Sequence, residues 1–168
     1  MKNQRAFILI ELITVIILIG IIASFTGFFL YTGFKGYLTA KNNSEGALNA
    51  QMAMDRINLE LRDLNYFTSF SQDSSITYTS SSPDLTGTRI LKYDSNSHEI
   101  LLNINNNDYP LVDKISSFRL RKIPQDLTND GIDEVAAFEV VFNIGLDENR
   151  IGTQFEIKIY PRNMVEDK

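Results

Sequence analysis

The constraint that dominates this sequence is a run of about 25 apolar residues near its start, Phe7 to Tyr31, broken by a single charge, Glu11. Coiled as a helix at about 1.5 Å per residue, such a run is long enough to cross a hydrocarbon core roughly 30 Å thick. A carboxylate placed inside it costs about 2.5–3.5 kcal/mol on insertion scales, so Glu11 needs a partner that the run itself does not offer. Ahead of the run lies a short polar leader, Met1-Lys2-Asn3-Gln4-Arg5-Ala6, with two cations. Secretory signal peptides also begin with basic residues, but their apolar core is about 7–15 residues long and carries no acid. This core is longer, and no small-x-small cleavage site follows it. By the positive-inside rule Lys2 and Arg5 hold the leader in the cytoplasm and place the chain from about Phe34 onward outside the inner membrane.

The leader and the first turns together, Arg5-Ala6-Phe7-Ile8-Leu9-Ile10-Glu11-Leu12, resemble the processing site of type IV pilins and of the pseudopilins of type II secretion. The family pattern is a short basic leader, a Gly, then Phe-Thr-Leu-Ile-Glu and a long apolar helix. Here Ala6 stands for the usual Gly and Ile8 for the usual Thr. The resemblance implies cleavage between Ala6 and Phe7 by a prepilin peptidase, N-methylation of the new Phe7 amine, and an assembly role for Glu11 as the fifth residue of the mature chain. It implies as partners other pilins or pseudopilins in a filament, an inner-membrane assembly machinery and the lipid bilayer. The physical logic is that the Phe7 amine of one subunit can pair with Glu11 of a neighbour, and such a pair in low dielectric helps only if both charges are satisfied. The alternative reading of the run is a plain membrane anchor whose Glu11 lies near the interface.

Downstream, no proline occurs before Pro83, so the helix is free to continue, although Gly33 and Gly36 each weaken it by about 1 kcal/mol relative to Ala. Ala47, Ala50, Met54, Ile57, Leu61 and Leu64 recur at three- and four-residue spacings, which marks one buried helix face. Asp55, Arg56, Glu60, Arg62 and Asp63 are assigned mostly to the other side. Asn42-Asn43-Ser44 and Gly46 predict a bend or local unwinding. Residues 68–87, rich in Ser, Thr and Asp, read as a loop with a short strand at 75–79 and a turn at Ser80-Ser81-Ser82-Pro83-Asp84. Strands are predicted at 89–93 and 99–104, joined by Asp94-Ser95-Asn96-Ser97, then at 109–112, 115–123, 135–146 and 153–160. In the last, Phe155, Ile157 and Ile159 alternate with Glu156 and Lys158, the mark of a half-buried strand.

The expected fold class is therefore α+β and pilin-like: a long N-terminal helix packed on one mainly antiparallel sheet. The expected division is a leader at 1–6, a transmembrane half-helix at 7–31, an amphipathic continuation at 32–66 and an exported β-rich domain at 67–168. The closing stretch from Gln154 to Asn163, a hydrophobic strand followed by Arg162-Asn163, the amphipathic 54–64 region and the 135–144 strand resemble PilW-like minor pilins and J-type pseudopilins.

One further stretch carries chemistry. Asp126-Leu127-Thr128-Asn129-Asp130-Gly131-Ile132-Asp133-Glu134 resembles the Asp-x-Asn-x-Asp-Gly loops that hold Ca²⁺ through oxygen ligands at alternate positions. The twelfth position is Ala137 rather than the bidentate Glu of an EF-hand, so that arrangement is excluded. A shorter calcium loop would use Asp126, Thr128, Asp130, the Ile132 carbonyl and Glu134. The same residue types also build a metal-free turn.

No Cys is present, which removes disulfides and thiolate metal sites. The net charge of −5 and the scattered Lys and Arg leave no nucleic-acid footprint. The lone His98 lies in a predicted hairpin, and no nucleophile elbow, His metal cluster or Gly-rich phosphate loop is visible. The expectation is a non-catalytic minor pilin or pseudopilin of a type IV pilus or type II secretion pseudopilus, resident in the inner membrane until assembled. The alternative is a single-pass anchored extracytoplasmic binding module, with calcium dependence through the 126–134 loop.

Overall fold

The computed structural model describes residues 3–131, 133–145 and 153–163, with side chains from Leu9 onward. Its first element is one helix, α1 (Asn3–Arg62), of 60 residues and hence about 90 Å. Helical hydrogen bonding runs through 42–46 without a break, so the predicted unwinding there does not occur. Asn and Gly weaken a helix locally, and in this chain they do not end it. The chain divides into two compact units, residues 1–44 and 45–168.

In the first unit the helix from Leu9 to Ser44 is exposed at every position but Thr39, and no part of its most apolar window is buried. It is long and apolar enough to span a membrane.

The second unit begins inside α1. Its strands are β1 (Leu64–Ser71), β2 (Ser75–Ser80), β3 (Thr88–Asp94), β4 (Glu99–Ile104), β5 (Asn107–Val112), β6 (Ile115–Gln125), β7 (Glu134–Ile144) and β8 (Thr153–Ile159). All pairings are antiparallel. They form not the single sheet expected but two meanders, β1-β2-β3-β4-β5 and β6-β7-β8. The chain leaves the first sheet at Asp113-Lys114, where Lys114 takes a left-handed φ of 58°. The α+β class stands, with the end of α1 packed on antiparallel sheets.

The core joins Ala50, Ala53, Ile57 and Leu61 of α1 to Ile76, Tyr78, Leu91 and Ile100 of the first sheet. Leu120, Phe138, Val140, Phe142 and Ile159 of the second sheet complete it. The buried helix face is close to the predicted one, with two corrections. Ala47 is exposed, and Ala53 and Glu60 are buried instead.

The helix ends at Arg62, earlier than the predicted 66, where the carbonyls of Arg62 and of the two residues after it are taken by distant donors. The Arg62 carbonyl accepts the Arg162 amide at 2.8 Å. The Asp63 carbonyl accepts the Ser81 amide at 2.8 Å and the Ser80 and Ser81 hydroxyls at 3.0 Å each. Asn163 adds a side-chain bond to the Leu64 carbonyl at 3.0 Å. Carbonyls held this way cannot serve the next helical turn, and the β-forming Tyr66-Phe67-Thr68 continues as strand β1, which the sequence reading had placed in a loop from Thr68.

The two sheets are also tied through turns. Asp73, at φ 57° between β1 and β2, donates its amide to the Leu120 carbonyl at 3.0 Å. Its carboxylate accepts the Leu120 amide at 3.2 Å. The His98 carbonyl accepts the Ile115 amide at 2.9 Å.

Candidate functional site: an isolated helical carboxylate and a buried charge network

Ala6 and Phe7 lie within α1, and their side chains fall outside the described residues. Glu11, one turn on, is exposed among Leu9, Ile10, Leu12 and Ile13, themselves 48–62% exposed. The other polar side chains of the run between Leu9 and Leu30 satisfy themselves. Thr14 donates to the Ile10 carbonyl, Ser24 to Gly20 and Thr26 to Ile22, each at 2.8 Å. Such back-bonding to the fourth preceding carbonyl lets hydroxyls sit in an apolar environment without an unmet donor. A carboxylate has no proton to give when ionised, and no partner for Glu11 lies among the described residues. It is thus the polar group of this stretch that no described residue satisfies.

The 126–134 loop is built differently. Asn129 and Gly131 adopt left-handed φ of 59° and 84°, as a tight turn requires. The Asp126 carboxylate accepts the Asp130 amide at 3.3 Å and the Gly131 amide at 3.0 Å. Glu134 accepts the Leu127 amide at 2.7 Å and the Thr128 hydroxyl at 3.0 Å, and is itself buried. Two of the proposed calcium ligands, Asp126 and Glu134, therefore accept donors of the loop itself, and a third, Thr128, supplies one of those donors. Ile132 lies outside the described residues. Among those residues no three acidic or histidine side chains converge as a metal-holding group. These are the bonds of a self-capped turn.

The constellation that the sequence reading missed is in the core. Glu60 of α1 has no exposed surface, and Arg89 of β3 is 3% exposed. The guanidinium grips the carboxylate with both prongs, Nε to Oε2 at 2.5 Å and Nη2 to Oε1 at 2.6 Å. Tyr78, opposite Arg89 on β2, donates its hydroxyl to Oε2 at 2.8 Å. Arg56, one turn earlier on α1, reaches Oε1 at 2.7 Å. Burial first, and then the neighbouring Glu60 charge, push the Tyr78 phenol far above its ordinary range. Burial disfavours the Arg89 charge, but Glu60 more than offsets this and raises its pKa. All members are spoken for, and no surface admits a substrate to the carboxylate. The network fastens helix to sheet.

Comparison with family models, characterised proteins and solved structures finds no match.

Two sequence signals were available for this network. Glu60 falls one heptad after the buried Ala53 and beside Leu61, so it lies within the apolar stripe rather than opposite it. Arg89 shares the strand phase of the buried Leu91. A charge at each of two inward positions points to a pair.

Proposed function

We propose that this chain is a minor pilin or pseudopilin, a non-catalytic subunit that assembles through α1 into a type IV pilus or type II secretion pseudopilus. The observation that carries this reading is Glu11, the polar side chain of the apolar run between Leu9 and Leu30 that has no partner among the described residues. It stands four residues after Phe7 and behind a basic leader. Cleavage between Ala6 and Phe7 creates an amine at the distance from Glu11 that lets one subunit answer the charge of the next. A subunit alone in the bilayer bears the insertion cost of Glu11, and docking removes it. Assembly is therefore favoured over residence as a monomer. Tyr31 at the end of the apolar run, with Lys35 and Tyr37 beyond it, suits the outer interface of the inner membrane, with the second unit exported.

The test is twofold. Mass spectrometry of the mature chain should find methylated Phe7 at its N-terminus. Glu11→Leu should leave the protein in the inner membrane and out of the filament. Glu11→Leu chains that enter filaments at the parental rate would refute the assembly role of Glu11, whereas a parent chain that keeps Met1 and is absent from filaments would refute the proposal and leave the anchored binding module as the reading.

A further inference from the structure

Two open sheets give four edge strands, and three of them are blunted. Strand β1 carries two register shifts, and its first carbonyl is held by Asn163. Strand β5 contains Pro110 and a register shift opposite it. On β6 the outward amide and carbonyl of Leu120 are both occupied by Asp73. Proline, bulges and capping contacts are the usual protections of an edge against pairing.

Strand β8 has none of these. It runs in unbroken register with β7 from Ile159 to Thr153, contains no proline, and among the described residues pairs with β7 alone. Its outward face is polar, Gln154, Glu156 and Lys158, all exposed, while Phe155 and Ile157 on the other face are half-buried.

We propose that β8 is a docking edge for a second copy of this chain, paired antiparallel about a twofold axis at Ile157. The charge pattern selects occupant and register together. Pairing about Ile157 sets Glu156 of each copy opposite Lys158 of the other and Phe155 opposite Ile159, two ion pairs and two apolar pairs from one strand. Moving the axis to Glu156 or Lys158 sets like charge against itself, and a shift by half that step sets charge against Ile or Phe. Opposite-charge pairs across strands each contribute roughly 0.2–1 kcal/mol, and like charges directly opposite destabilise. A strand complementary to itself in one register alone meets the requirement of an isologous twofold interface. The result is one continuous six-stranded sheet built from two copies of β6-β7-β8.

The chain has no cysteine, so a single introduced thiol reports the register directly. The full chain in detergent carrying Ile157→Cys should oxidise to a covalent dimer, because the axis brings the two thiols together. An equal mixture of Glu156→Cys and Lys158→Cys chains, both changed at exposed positions, should cross-link to the heterodimer more than either chain alone. Adding Glu156→Lys to Ile157→Cys should lower the dimer yield about tenfold, since both ion pairs become repulsions. Thr68→Cys, exposed on β1, is the collision control. The proposal is overturned if neither β8 arrangement cross-links in chains whose near-ultraviolet circular dichroism is parental. It is overturned equally if Thr68→Cys dimerises as readily as Ile157→Cys.

Discussion

Replacing Arg89 with Met tests whether the Glu60 network is the fastening described. In the parent the Glu60 carboxylate accepts three hydrogen bonds, two from Arg89 and one from Tyr78, and forms an ion pair with Arg56. Met fills much of the space of the arginine stem but removes both guanidinium bonds and the one cation that is buried among the described residues. Arg56 remains, with a side chain 37% exposed, so it compensates weakly. Breaking a buried pair by deleting one partner costs about 3–5 kcal/mol, because the surviving charge stays desolvated. With a urea slope of about 1.5–2 kcal/mol per molar, the unfolding midpoint of the second unit should fall by roughly 2 M. The assay is urea unfolding of the full chain in detergent, followed by near-ultraviolet circular dichroism. The double variant Arg89→Met, Glu60→Gln should recover more than half of that loss, since a neutral amide removes the stranded charge. A change under about 1 kcal/mol for Arg89→Met alone would mean that water reaches Glu60, and would refute the burial argument.

Two further outcomes follow from the same geometry. Tyr78 has a folded pKa raised above its unfolded value, so its contribution is fully present below about pH 10 and is lost as pH rises beyond it. Tyrosinate absorbance of the folded chain between about pH 10 and 12 should thus be unchanged by Tyr78→Phe, and a smaller signal in the variant before unfolding would show that Tyr78 ionises in place. Asp126→Ala removes the acceptor of two loop amides and should lower stability by about 1–2 kcal/mol, as loss of a cap does. Thermal melts should show the same drop in EDTA and in calcium, whereas a drop confined to calcium would assign the loop to the metal.

What the sequence could and could not reveal divides along the range of the interactions involved. The apolar run, the 89–104 hairpin and the alternation of 153–159 rest on neighbours within one turn or one strand, and they appear where periodicity puts them. The positive-φ positions Asn129 and Gly131 were equally legible as a turn, but periodicity is silent on whether Asp126 and Glu134 aim at an ion or at their own amides. The end of α1 depends on Ser81 and Arg162, far along the chain, so no local pattern could stop the helix at Arg62 instead of carrying it through Leu64. Leu64 kept the stripe's spacing by coincidence of phase and yet belongs to β1. Glu60 shows the same limit from the other direction. A lone acid in an amphipathic helix is assigned to water because burial costs several kcal/mol, and only the cation on β3 reverses that sign. Glu11 presents the same problem with no cation against it among the described residues. Where Glu60 is answered from within the chain, Glu11 meets no partner among the described residues, and in the function proposed above this difference between two carboxylates on one helix is the reason to associate.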